Sequence, residues 1–137
     1  MAAHSIDLVK SVYDGFARRD LPGTLAALAD DIEWQEADGL PWGGPQRGPA
    51  AVAENVFAPA LELIPDLAVS PEQIIASDGT IAVAQRYTGT AKTTGRKLDL
   101  VGVGLWDVTD GKIVRYRQFV DTVKFLDVVS AGAGADA

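Results

Sequence analysis

The chain reads as an α+β domain in which a bent antiparallel sheet wraps around a few helices and leaves an internal pocket. Three observations predict this. Helical periodicity and one short strand fill the first half. The second half alternates like strands, separated by Asp-Gly and Thr-Gly turns. Helices segregated from antiparallel strands are the α+β pattern. Finally, 137 residues at 47% hydrophobic content can build one core. No repeat or linker interrupts them, so residues 1–130 read as one domain. Ala131–Ala137 (AGAGADA) reads as a disordered tail.

The elements follow in order. Ser5 can cap a helix in which Ile6, Val9, Val12, Tyr13, Phe16 and Ala17 recur at helical spacing, which predicts a helix from Ser5 to Arg19. Asp20 starts a second, short helix, with Pro22 in its first turn and an Ala/Leu-rich body to Ala29. Ile32–Glu36 alternates like a strand, with Ile32, Trp34 and Glu36 on one face. Asp38–Pro49 is a Gly/Pro loop around Trp42. Ala50–Ile64 reads as a helix that kinks or breaks at Pro59. Strands then follow at Leu67–Ala76 (broken by Pro71), Thr80–Ala91, Lys97–Val108 and Lys112–Val120. A short helix, Val123–Val129, ends the domain.

Composition narrows the chemistry. A formal charge of −7 argues against nucleic acid and anionic membranes as partners. No stretch resembles a signal peptide or a membrane span, so a cytoplasmic location is expected by default. There is no cysteine, and the single histidine, His4, lies near the N-terminus. Thiol nucleophiles, histidine bases and metal sites of Cys and His therefore drop out, and no cofactor is expected. Acid–base work falls to Asp, Glu, Tyr, Lys or Arg.

Period-2 arithmetic selects candidates. On the last strand Ile113, Arg115, Arg117, Phe119 and Asp121 share a face if no bulge intervenes. Gly102, Gly104 and Trp106 share one on the strand before it, and Ala84, Arg86 and Thr88 on Thr80–Ala91. Asp121 is either the N-cap of the last helix or a partly desolvated base facing the pocket beside Phe119. Arg86 either forms a salt bridge with Glu36 or Asp121, or orients a carboxylate or a substrate oxygen. Arg117 fits the surface or a dimer interface equally. Tyr13 and Tyr87 are hydroxyl donors, and Tyr13 also fits the core. Trp34, Trp42, Phe57 and Trp106 can wall a flat apolar ligand. Gly102-Val103-Gly104 lies inside a strand and lacks a third glycine, so it is not a nucleotide loop.

The segments FARRD, LAALADDIEWQEADGLPWGGPQRGP, ENVF, QRYTGTAKTTGRKL and LWDVTDGKIVRYRQFVDT carry a resemblance by their order and spacing. Along nearly its whole length the chain resembles the SnoaL-like branch of the NTF2-like (ketosteroid-isomerase-like) superfamily. The resemblance implies a cone-shaped α+β domain with a deep pocket, usually a homodimer through the outer sheet face. It implies that Asp121 matches the acid/base of polyketide cyclases and the base of limonene-epoxide-hydrolase-like enzymes. Arg86 matches the arginine of the hydrolases' Arg-x-Asp pair, whose aspartate falls on Thr88 here. Trp34, Glu36 and Trp42 match pocket-wall positions. Gly104 stands where many members have histidine, leaving room for a larger ligand.

The expected function is a cofactor-independent isomerase or polyketide-cyclase-type enzyme acting on a small, largely apolar, oxygenated molecule. Asp121 would be the base, helped by Arg86 with Tyr13 or Glu36. An epoxide hydrolase and a non-catalytic small-molecule-binding domain are the alternatives.

Overall fold

The computed structural model describes residues 2–130, so the tail Ala131–Ala137 lies outside the described residues. Two helices open the chain, α1 (Ala2–Ala17) and α2 (Leu21–Leu25). Strands β1 (Leu28–Glu36) and β2 (Gly44–Arg47) follow. A third helical stretch comprises α3 (Pro49–Val52), a π turn (Ala53–Phe57) and α4 (Ala58–Leu63). Four strands come next: β3 (Ala68–Ser77), β4 (Thr80–Thr90), β5 (Lys97–Thr109) and β6 (Lys112–Phe119). Helix α5 (Thr122–Val129) closes the domain.

The six strands form one open sheet in the order β2-β1-β6-β5-β4-β3. All neighbours are antiparallel except β1 and β6, which run parallel. The Asp78-Gly79 and Asp110-Gly111 hairpins have positive φ at both residues (47° and 84°; 52° and 76°), as a two-residue turn with the twist of its flanking strands requires. The helices cover one face, and the core lies between that face and α1, the π turn and α5.

Four local expectations are corrected. The second helix stops at Leu25, because Leu28 pairs with Ile113 and the backbone of Ala27 accepts from Ile113 N–H; the neighbouring strand overrides local helix propensity. The Gly/Pro loop contains β2, a four-residue polar strand that tolerates Pro45 because it lies at the sheet edge. The chain does not break at Pro59 but stays helical across it: Ala58 N–H bonds to Ala53 O, five residues back, in a wider turn just before the proline. Val52, Val56, Ala60 and Ile64 still share the buried side. Pro71 does not break β3 but sits at a bulge between Pro71 and Gln73 on the other edge strand.

A second bulge governs the site. Asp107 pairs with Arg115 but Val108 pairs with Ile113, so Val114 is the extra residue. Ile113 faces inward, and beyond the bulge Tyr116 and Gln118 do too. Arg117 and Phe119 therefore turn outward, against the unbulged expectation. On β4 the register is unbroken, and the larger apolar residues Ile81 and Val83 select the inner face. That places Gln85 and Tyr87 inside and Arg86 and Thr88 outside, the reverse of the expected face. On β1 and β5 the expected faces hold: Trp34, Glu36 and Trp106 are buried. No described helix is long and apolar enough to cross a membrane.

Candidate active site

A cavity of about 70 Å³ lies between the inner sheet face and the helices. Half of its lining residues are aromatic. Tyr13 and Phe16 enter from α1, Trp34 from β1, Phe57 from the π turn, Trp106 from β5 and Phe125 from α5. Trp34 meets Phe57 and Trp106 edge-on, 5.6 Å from each at 88° and 84°, and lies tilted over Tyr116 at 4.2 Å and 38°.

Glu36 is the acid of this cavity, and only 4% of it is exposed. Its carboxylate receives two indole N–H bonds, from Trp34 Nε1 to Oε2 at 2.8 Å and from Trp42 Nε1 to Oε1 at 3.2 Å. Trp42 reaches back from the loop through a tight turn that requires Gly43, where an added Cβ would stand 2.5 Å from the carbonyl oxygen of Ala37. Burial pushes the Glu36 carboxyl up to about 7, partly offset by the two indole bonds. Near neutral pH Glu36 therefore both holds and releases a proton.

A second polar group lies beside it. The Tyr13 hydroxyl accepts from Trp106 Nε1 (3.1 Å) and donates to Gln85 Oε1. Gln85 Nε2 donates to the hydroxyls of Tyr87 (2.6 Å) and Tyr116 (2.9 Å). Gln118 Nε2 donates to Tyr87 at 2.8 Å, and Gln118 Oε1 accepts from Ala37 N–H at 2.9 Å. Burial holds all three phenols well above their usual range, so they remain protonated donors at neutral pH.

The structure brings Glu36, Tyr13, Trp34, Trp42, Phe57 and Trp106 together at the cavity. The remaining candidates lie elsewhere. Asp121 is exposed and accepts from Lys124 N–H at 3.0 Å, as the N-cap of α5. It is not among the lining residues; the helix it caps carries Phe125 against Trp42 and Tyr87. Arg86 stands on the outer face, bonded to Glu72 (2.7 Å) and Asp99 (2.6 Å) rather than to Glu36 or Asp121. Thr88, Arg117 and Phe119 also fall outside the cavity lining. The room expected at Gly104 is already filled: an added Cβ would lie 2.7 Å from the Tyr116 ring and 3.0 Å from Gln85 Oε1. Arg86 and Thr88, the positions matched to the hydrolases' Arg-x-Asp pair, both lie on the face of β4 turned away from the cavity.

Sequence reasoning missed Gln85, Tyr116, Gln118 and Phe125. Ile81 and Val83 carried a signal for Gln85, since period 2 from them reaches it. Nothing local announced the bulge that turns Tyr116 and Gln118 inward. Among the described residues no group of three or more acidic or imidazole side chains is placed to hold a metal.

Residues 9–116 match the SnoaL-like domain family. An NTF2-like protein of unknown function from Burkholderia pseudomallei K96243 is 32% identical, with a TM-score of 0.85 over 93% of this chain and 98% of that one. An NTF2-like protein from Burkholderia thailandensis E264 is 28% identical, with a TM-score of 0.86 over 90% and 95%. TerC, co-crystallized with polyporic acid, is 26% identical, with a TM-score of 0.85 over 92% and 98%. No curated protein matches the chain. The family match over most of the sequence, and the nearly complete structural overlap at 32% identity, establish that the chain belongs to the SnoaL-like family of NTF2-like proteins.

Proposed function

We propose that the protein is a cofactor-independent acid/base enzyme of the isomerase or cyclase type, acting on a small, largely apolar, oxygenated molecule, with Glu36 rather than Asp121 as the proton-transfer group. One observation carries this reading: a buried carboxyl, pushed up to about 7, opens onto an aromatic cavity. The Glu36 carboxylate takes a proton from a carbon next to a carbonyl; the C–H electron pair becomes the C=C bond of the enolate and the C=O π pair moves onto the oxygen. A neutral tyrosine hydroxyl, Tyr87 or Tyr116, donates to that developing enolate. Protonated Glu36 then returns the proton to another carbon, which is isomerisation. Alternatively the enolate carbon attacks a second carbonyl and the proton goes to the new alkoxide, which is cyclisation.

The test is proton exchange. In D2O the protein should speed exchange of the α-hydrogens of 2-tetralone, followed by NMR. Glu36→Gln should lower that rate by about 10²–10⁴-fold. Absence of exchange above buffer, or an equal rate with Glu36→Gln, overturns the assignment.

One alternative keeps specific support, a non-catalytic small-molecule-binding domain. Both oxygens of Glu36 are already engaged by tryptophans, and the similar protein TerC was crystallized with polyporic acid. Tight binding without exchange would favour it. We also propose that the chain pairs with a second copy through the outer sheet face, where the exposed side chains Val103 and Phe119 are cross-strand partners.

A further inference from the structure

Arginine is in surplus at one place on this acidic chain. On the outer face of β2, β1 and β6 lies an open cavity of about 280 Å³. Its charged lining is Arg47 from β2, Glu33 from β1, and Arg115 and Arg117 from β6. The register brings them together. Glu33 pairs with Arg47 on one side and Arg115 on the other, and Gln35 pairs with Arg117. Such partners stand about 5 Å apart across each strand pair and about 7 Å apart along β6. An extended arginine spans either distance, so the three guanidiniums can meet over one group. The extra residue Val114 is what turns both Arg115 and Arg117 to this face.

Two of these cations have no partner in the chain. Elsewhere, Arg18 pairs with Asp20, and Arg86 with Glu72 and Asp99. Arg19 donates to the carbonyls of Phe16, Pro65 and Leu67, and Arg96 to that of Asp127. Arg47 is bonded to Glu33 at 3.0 Å. Among the described residues Arg115 and Arg117 make no ion pair. Asp107, opposite Arg115 on β5, accepts from the Thr80 hydroxyl at 2.8 Å instead. Gln35, beside Arg117, turns its amide to its own strand and donates to Glu36 O at 3.0 Å. Arg117 Nε is the one buried side-chain nitrogen or oxygen without a hydrogen-bond partner among the described residues. A covered donor on a charged group is costly to leave unmade, which points to an acceptor from outside the chain.

We propose that this outer cavity is a binding site for a phosphate-type dianion. Charge selects the class. Three guanidiniums and one carboxylate leave two positive charges, which a phosphate balances and a single carboxylate does not. Shape agrees, because guanidinium forks match phosphate oxygens and a tetrahedral group can receive from three directions. The anion accepts from Arg115 and from Arg117, whose covered Nε reaches it by a small turn of the side chain. Arg47 closes the third side beside Glu33. The cavity is larger than a phosphate, so the occupant is the free ion or the phosphate of a monoester. The site lies on the opposite sheet face from the Glu36 carboxyl and stands apart from the proton-transfer reading. Val103 and Phe119 are not part of its lining.

The test is calorimetric titration with inorganic phosphate at about pH 8, where it is mostly dianionic, and at fixed ionic strength. The wild type should bind phosphate saturably, one per chain, and acetate about tenfold more weakly. Arg115→Gln and Arg117→Gln should each weaken phosphate about tenfold. Glu33→Gln removes the competing carboxylate and should tighten it. Arg86→Gln removes an arginine already held by two carboxylates and should change nothing. Should Arg117→Gln fail to fold, the exposed Arg115 and Glu33 decide. Phenyl phosphate separates the two sources: tighter binding than inorganic phosphate supports an ester as the occupant, and binding no tighter supports the free ion. The proposal is overturned by unsaturable phosphate binding, by acetate binding equally well, or by wild-type affinity in the Arg115 and Arg117 variants. Weaker binding in Glu33→Gln, or a loss in Arg86→Gln as large as in Arg115→Gln, overturns it too. Exchange of 2-tetralone should be untouched by Arg115→Gln, so this site and the role of Glu36 fail separately.

Discussion

The indole N–H of Trp34 donates to the Glu36 carboxylate at 2.8 Å from two residues earlier on the same strand face. A strand places such residues side by side, so the donor is built into the element that carries the acid. Together with Trp42 it holds a carboxyl that burial would otherwise push still higher.

This arrangement predicts a pH-dependent stability. Glu36 is raised from its ordinary value of 4.5 to about 7, so the folded protein keeps a proton that the unfolded chain has released. The stabilisation is complete below the ordinary value and is lost as pH rises through about 7, to the extent of about 3 kcal/mol. The melting temperature should fall between about pH 5 and pH 8, and Glu36→Gln should flatten that fall. A wild-type profile as flat as the variant's would contradict it.

Asp121→Ala should cost about 1 kcal/mol, the usual worth of an N-cap. Its carboxylate bonds to Lys124 N–H outside the cavity, so exchange of 2-tetralone should survive the substitution. A loss of exchange as deep as that of Glu36→Gln, in a protein that still melts cooperatively, would return Asp121 to the chemistry.

Gly104→Ala should destabilise the fold by about 1–3 kcal/mol, because the new methyl meets the Tyr116 ring at 2.7 Å in a packed core. It should also weaken 2-tetralone binding, since Tyr116 lines the cavity. Unchanged thermal stability would show that the core yields there.

Sedimentation should give a mass near two chains at micromolar concentration. Phe119→Asp, which charges the exposed partner of Val103, should give a mass near one chain. A single-chain mass for the wild type would remove the proposed pairing.

Fold class, hairpin turns and the inner faces of β1 and β5 were written in the amino acids. Local physics suffices there: Asp-Gly supplies the backbone conformations of a tight turn, and an unbulged strand alternates strictly. Glu36 was legible for the same reason, beside Trp34 on an apolar face. What only the tertiary structure decided is which polar groups meet it. One unpaired residue at Val114 rotates β6, bringing Tyr116 and Gln118 inward and sending Arg117 and Phe119 out. A bulge has no signature in β6 alone, because it is a mismatch between two paired strands. Asp121 shows the same limit. A strand-end carboxylate and a helix cap have one sequence, and only its bond to Lys124 N–H makes it a cap.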